Sequence, residues 1–216
     1  MERRLAWILT GGYDGHQPAR VAAIVADTLG ADGFDVQVVT TLDVLDDPAR
    51  LRAVDLIVPN WTMGTISPGA LAAWLAAVRE GGTGVAGVHG GMADAFRSEP
   101  AYHEMVGGQW VAHPGGDGVT YEVQIVKGHP LAGGLQDFTV TSEQYYLHVD
   151  PGIDVLATTR FGAVVMPVAW TKTYGRGRVF YCSVGHQPEL LERDTIRSFI
   201  ARGFSWAART SGGRMP

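Results

Sequence analysis

The sequence predicts an α/β protein with a parallel sheet and crossover helices. Three observations carry that reading. Apolar runs of strand length alternate with helical segments through the first half of the chain. Glycine pairs such as Gly11-Gly12, Gly81-Gly82, Gly90-Gly91, Gly107-Gly108, Gly115-Gly116 and Gly133-Gly134 punctuate them as loops. With 216 residues, 46% of them hydrophobic, the chain is long enough to close one core without disulfides or a structural metal.

The elements follow in order. "LAWIL" (5 to 9) reads as the first strand, "PARVAAIVADTLG" (18 to 30) as a helix, and "FDVQVVT" (34 to 40) and "AVDLIVPN" (53 to 60) as further strands. A helix over 67 to 80 is marked by Ser67 as N-cap, Pro68 at its first position and Gly81-Gly82 at its end. "GVAGVH" (84 to 89) is the next buried strand. After Phe96, residues 99 to 118 predict one short helix and then a Gly-rich, aromatic-rich loop too polar and irregular for core. Strands return at 119 to 126, 137 to 146, 153 to 159, 164 to 174 and 177 to 185, and a last amphipathic helix spans 189 to 208. One domain over residues 1–208 is expected, with 209–216, "RTSGGRMP", as a disordered tail.

Composition narrows the function classes. The formal net charge of -5 comes with no basic run or stripe, so the footprint of nucleic-acid binding is missing. No apolar segment approaches the roughly 20 residues of a membrane span. The run behind Arg3 and Arg4 is too short for a signal-peptide core. The single Cys182 excludes an internal disulfide. A cytoplasmic protein with a small neutral or polar ligand is expected, without membrane or nucleic-acid partners. Aromatics expected to be exposed between Tyr102 and His113 make a homodimer plausible.

In an open parallel sheet, ligands bind beyond the carboxyl ends of the strands. Those ends are followed here by Gly11 to His16, Asn60-Trp61, His89 and Gly185-His186. His89 stands at a strand-to-helix turn where α/β enzymes often mount a nucleophile, and Gly90-Gly91 behind it allow strained backbone and close approach of a ligand. Its alternative is a core histidine bonded to a neighbouring strand. His186 stands at a similar turn, and His113 lies in the Gly-rich loop. His16, next to a helix start, is open between binding and capping. His148 faces either the site or solvent, whereas His103 reads as helix surface and His129 as part of a turn. Glu143, among Tyr145, Tyr146 and His148, is poised as base, hydrogen-bond acceptor or metal ligand. A metal such as zinc, held by His89, His113, Glu143 and His186, would have to be assembled from distant segments, because no local metal motif is present. Trp61, Trp110 and Trp170 are candidates to stack on a sugar ring. Cys182, inside a strand, is expected to be buried and inert. No phosphate loop or dinucleotide fingerprint is present, so no nucleotide cofactor is expected.

The ordered series "GVAGVHGG", "YHEMVGGQWVAHP", "GHPLAGGL", "SEQYYLHVDP" and "MPVAWTKTYGRGRVFYCSVGH" resembles the trehalose-utilisation (ThuA-like) family over nearly the whole chain. The resemblance implies a flavodoxin-like fold of the class I glutamine amidotransferase type, a mainly parallel sheet with helices on both faces. It also implies that His89 replaces the amidotransferase cysteine, so glutamine hydrolysis through a thioester is not expected. It places His89, His113, Glu143, Tyr145 and His186 on the family's recurrent segments. Ser142 stands where relatives are expected to carry an acidic pair. The implied role is in sugar metabolism, on a keto-sugar or glycoside. His89, Glu143 and His186 would be catalytic, while His16, Asn60, Trp61, Trp110, His113 and Tyr145 would bind substrate. The alternative is a non-catalytic sugar-binding or accessory module on the same scaffold.

Overall fold

The structure is a computed structural model that describes residues 3–210. The elements run β1 (Arg4–Gly12), α1 (Pro18–Ala31), β2 (Phe34–Val39), α2 (Pro48–Ala53), β3 (Leu56–Thr62), α3 (Pro68–Arg79), β4 (Gly84–Val88) and α4 (His89–Ala93). They continue with α5 (Pro100–Val106), β5 (Gly108–Ala112), β6 (Val119–Ile125), β7 (Phe138–Ser142), β8 (Tyr146–Val149) and β9 (Asp154–Phe161). The last are β10 (Val164–Tyr174), β11 (Gly177–Cys182), α6 (Pro188–Glu192) and α7 (Asp194–Ala207).

Nine strands form one sheet in the order β2-β1-β3-β4-β11-β10-β9-β6-β7. The first five are parallel, and their order is the flavodoxin-like one, with its reversal between β1 and β3. The other four are joined by antiparallel ladders and extend the sheet on the far side of β11. Strand alternation sends successive side chains to opposite faces. Ala6, Ile8, Ala86, Val88, Phe180 and Cys182 therefore pack with α1 and α7 in one core. Trp7, Leu9, Ile57, Val85, Val179 and Tyr181 pack with α2, α3 and α5 in the other. Ser67 caps α3 through its hydroxyl, which accepts from the Ala70 amide at 3.1 Å, and Pro68 occupies the first turn as the sequence predicts.

Several boundaries differ from the sequence reading. The strand expected over 137 to 146 stops at Ser142, and Tyr146 begins β8, which pairs antiparallel with β5 in a separate two-stranded sheet. Glu143, Gln144 and Tyr145 between them are all buried. They are held because Tyr121 Oη donates to the Glu143 carbonyl and Gln144 Nε2 donates to Thr159 Oγ1 and the Arg160 carbonyl.

The short helix expected within 99 to 118 is α5, but it belongs to the core, and the loop expected after it begins with the strand β5. Tyr102, His103, Met105 and Val106 are buried on α5, where Tyr102 packs on Trp74 and donates to the Met92 carbonyl. The exposed aromatics expected there are therefore missing, since Tyr102 is in the core and Trp110 is half-buried. His103 likewise is interior, not helix surface. The last helix is broken at Arg193, which takes extended backbone between α6 and α7 and donates to the Thr139 carbonyl.

Arg209, assigned to the tail on sequence, is instead buried against Asp55. Residues 211–216 of that expected tail lie outside the described residues.

Candidate functional site

The carboxyl ends of the parallel strands assemble the site. β4 ends at Val88, and His89 follows with φ 47°, a left-handed conformation that costs energy for any residue with a side chain. Strain sits on the histidine itself. The two glycines behind it supply room: a methyl on Gly90 would lie 2.7 Å from His16 Cε1 and 2.9 Å from Tyr145 Oη, and one on Gly91 would lie 3.0 Å from Asn60. Tyr181 Oη donates to the His89 carbonyl and helps hold the turn.

The His89 ring has a defined tautomer. Its Nδ1 lies 2.9 Å from the Ser183 carbonyl, which only accepts, so Nδ1 carries the proton and Nε2 faces the site with its lone pair. The core-histidine reading is thus met by Nδ1, which is tied to the neighbouring strand end, while Nε2 faces Tyr145 and Glu143. Tyr145 is stacked on the ring at 4.2 Å, and its hydroxyl donates to Nε2 at 2.8 Å.

His16 follows β1, and its Nδ1 lies 2.8 Å from Thr62 Oγ1 at the end of β3. Thr62 can accept from it, which leaves Nε2 for the interior. His186 follows Gly185 after β11. The rings of His16, His89 and His186 form a triangle with centroids 4.9, 5.1 and 5.3 Å apart. Glu143 reaches in from the stretch between β7 and β8, with Oε2 at 3.1 Å from His89 Nε2 and 3.3 Å from His186 Nδ1.

These contacts are close but poorly aligned. His186 Nδ1 and His113 Nδ1 are buried without a hydrogen-bond partner, although Glu143 Oε1 is 3.5 Å from the latter. Donor atoms of His16, His89, Glu143 and His186 all lie within 4.8 Å of one another. They converge on a common centre, not on each other. Ligands around a zinc-sized ion at bonds of about 2.0–2.2 Å stand roughly 3–4 Å apart, so a small inward movement would close this set. The outer bonds of His16 to Thr62 and of His89 to the Ser183 carbonyl resemble the supports that orient metal-binding imidazoles.

Burial, reinforced by His89 and His186, lowers His16 to a pKa of about 3. Burial also lowers His89, against the opposing pull of Glu143 and Ser183. For Glu143, burial works upward, but the His186 and His89 rings close beside it outweigh it and hold the carboxyl well below its usual range. Those two directions conflict, because bonding from charged imidazoles is needed to depress Glu143 while burial keeps the rings neutral. Neutral His16 and His89 are the firmer half, since desolvation of enclosed imidazoles needs no partner's charge.

One consequence concerns metal-free protein. His16 binds a proton near pH 6.5 when unfolded and only near pH 3 when folded. The unfolded state therefore takes up the proton first as pH falls, and stability declines from about 6.5 toward 3, by up to ~1.4 kcal/mol per pH unit for such a group. Urea midpoints of chelated protein at pH 7 and pH 5 should show the decline, and His16→Gln should make it shallower. An unchanged slope in the variant would contradict this assignment.

Above the cluster lies a cavity of about 340 Å³ lined by Tyr13, His16, Met63, Asp94, Arg97, Trp110, His113, Glu143, Tyr145 and His186 among others. Seven of the residues picked from sequence therefore meet at one edge: His16, His89, Trp110, His113, Glu143, Tyr145 and His186. The sequence reading placed His113 in the metal set and His16 with substrate. In the structure His16 completes the triangle with His89 and His186, and His113 lies at the cavity wall beyond β5.

Asn60 and Trp61 do not line the cavity. The Asn60 amide is spent on Thr10 Oγ1 at 3.0 Å and the Pro18 carbonyl at 2.8 Å, stapling β3 to β1 and α1. The Trp61 ring packs over Gly11 and beside Gly64, where any Cβ would collide with it. Trp170 is fully buried in β10 and donates to the Val106 carbonyl at 2.9 Å. His148 is exposed in β8 opposite Gln109, and His129 caps a short turn at Leu131 and meets Asp154. Cys182 is buried, with its thiol pushed up to about 12 by burial, and is no cavity residue.

Sequence reasoning missed Tyr13, Met63, Asp94 and Arg97. The three-residue spacing of Asp94 and Arg97 in "GGMADAFR" was the one signal for the last two.

Sheet order, helices on both faces and an elbow at the end of β4 define a flavodoxin-like α/β protein with histidine at the elbow. A GMP synthase subunit from Thermoplasma acidophilum shares that fold at a TM-score of 0.58 and 15% identity, over 95% of this chain and 96% of its own. The chain belongs to the ThuA family, described as trehalose utilisation, whose pattern matches residues 5–207. A ThuA-like protein from Parabacteroides merdae superposes with a TM-score of 0.76 at 19% identity, over 100% of this chain and 92% of its own. A cytoplasmic protein from Salmonella typhimurium LT2 does so at 0.69 and 13%, over 95% and 100%. Among curated proteins no sequence matches this chain. No helix among the described residues is long and apolar enough to cross a membrane.

Proposed function

We propose that this protein is a sugar enzyme acting on a keto-sugar or glycoside of the trehalose type, with a divalent metal such as zinc held by His16, His89, Glu143 and His186. The observation that carries this reading is the convergence of three imidazoles and one carboxylate within 4.8 Å, beneath a cavity that also contains an indole ring. Family membership supports a role related to trehalose utilisation. A cytoplasmic location accords with the description of the Salmonella protein of the same fold.

A metal in that position would polarise a carbonyl or hydroxyl oxygen of the substrate. The remaining chemistry falls to the chain. His113, outside the four-donor set and facing the cavity, is the group to take a proton from carbon next to a carbonyl. Tyr145, whose hydroxyl is kept protonated by burial, would give a hydrogen bond to the substrate oxygen, and His113 itself can return the proton to the neighbouring carbon. Trp110 offers the flat face on which a sugar ring stacks.

Elemental analysis of the purified protein tests the reading first. One equivalent of zinc or another divalent ion is expected, with turnover of a keto-glycoside lost on chelation and restored by the metal. Full activity in metal-free protein would remove the metal from the mechanism. Sugar binding without turnover in the metal-loaded protein would favour the accessory module.

A further inference from the structure

The cavity has a second charged feature, away from the four-donor cluster. Asp94 ends α4 with its carboxylate almost fully buried and accepts from Arg97 Nε at 2.5 Å and Nη2 at 2.8 Å. This two-point grip fixes the guanidinium as a plane. Arg97 Cζ stands 4.6 Å from the centre of the Trp110 ring, and the Arg97 carbonyl accepts from Gln109 Nε2 of the same strand as Trp110. Phe96, just before it, is itself held at φ 48°. Asp94, Arg97 and Trp110 all line the cavity, and the Arg97 side chain keeps 44% of its exposure.

Arg97 therefore has N–H groups left over, beside a carboxylate with lone pairs left over. That alternation of donor and acceptor matches two adjacent hydroxyls, each of which both gives and takes a hydrogen bond. It does not match an anion. The Arg97 charge is already balanced by Asp94, and no lysine lines the cavity. A phosphate or carboxylate on the substrate would meet no uncompensated cation at this wall.

We infer that Asp94 and Arg97, braced on Trp110, form a specificity wall that takes a vicinal diol of an uncharged sugar and disfavours phosphorylated or acidic sugars. This rests on the sugar reading above and adds the substrate's charge class and the residues that select it.

The test is titration calorimetry on the purified protein with trehalose, maltose, sucrose and lactose, and with trehalose 6-phosphate. The wild type should bind at least one neutral disaccharide, and trehalose 6-phosphate at least about tenfold more weakly than that sugar. Losing a charge-assisted hydrogen bond typically weakens binding by about ten- to a hundredfold. Arg97→Gln should do so, and Arg97→Lys should fail to restore affinity, because a point charge cannot reproduce the planar pair of donors. Asp94→Asn, which frees the guanidinium's charge, should narrow or reverse the preference against the phosphate by at least about tenfold. A merely structural ion pair would leave that ratio unmoved.

Neutral-sugar affinity unchanged in Arg97→Gln, or a wild type that binds the phosphate as tightly as the neutral sugar, would overturn the wall and leave the sugar reading standing. No binding of any neutral disaccharide by the wild type would overturn both.

Discussion

Glu143→Gln is expected to lower the affinity for zinc by at least about a hundredfold and to reduce turnover by a similar factor, because losing even an outer partner of a metal ligand costs ten- to a hundredfold. Glu143 is the single carboxylate of the four-donor set, and its Oε2 lies within 3.3 Å of both His89 Nε2 and His186 Nδ1. Glutamine keeps the volume and an oxygen but not the charge that draws a cation among the three imidazoles. The fold should tolerate the change. What ties this residue to the scaffold is its backbone carbonyl, which accepts from Tyr121 Oη and is untouched by the substitution. Metal-free variant should therefore melt within a few degrees of metal-free wild type, or above it, since a buried charge has been removed. Zinc titration, elemental analysis and melting with and without chelator would check all three points. A variant that retains its metal and its turnover would place the reactive centre elsewhere in the cavity.

Arg209→Ala is expected to destabilise the protein by about 3–5 kcal/mol, the usual cost of removing one partner from a buried ion pair. At roughly 2–4 °C per kcal/mol for a chain of this size, the melting temperature should fall by about 10 °C. The Arg209 and Asp55 side chains are 5% and 1% exposed, with Nε 3.1 Å from Oδ1. The guanidinium also donates to the carbonyls of Gly81, Arg52 and Val54, and the Arg209 amide donates to the Asp55 carbonyl. Asp55 Oδ2 accepts from the Leu5 amide as well. One side chain thus ties the ends of α2 and α3 to the starting ends of β1 and β3. Alanine would take the Arg209 guanidinium away from the enclosed Asp55 carboxylate. The knot lies at the end of the sheet opposite the cavity, so metal content should not change. Wild-type stability in the variant would mean that water or another group takes over the carboxylate.

The two sites differ in how far they could be read from the sequence. Histidines following β1, β4 and β11 were visible as polar residues after apolar runs, and that position alone sends them to the ligand edge of a parallel sheet. The Arg209 knot left no such trace. A lone arginine before "TSGGRMP" has the composition of a loose tail, and its burial depends on chain segments far away in sequence, around Leu5, Asp55 and Gly81. Trp61 and Trp170 show the same limit from the other side. Both looked available for a ligand, yet one is pressed on Gly11 and the other is sealed in β10, because a tryptophan's face is taken by whichever neighbour the fold brings to it.

Local pattern determined the α/β class, the parallel half of the sheet, the start of α3 at Ser67-Pro68, and the elbow at His89 followed by two glycines. These are set by period, capping and turn chemistry, which act over a few residues. Tertiary structure decided that β7 ends at Ser142, so that Glu143 and Tyr145 turn inward. It brought His16 beside His89, Glu143 and His186, left His113 at the cavity wall and spent Asn60 on the scaffold. It also brought Asp94 and Arg97 against Trp110. Each of those outcomes depends on contacts between distant segments, whose geometry is fixed only when the two cores close on the sheet.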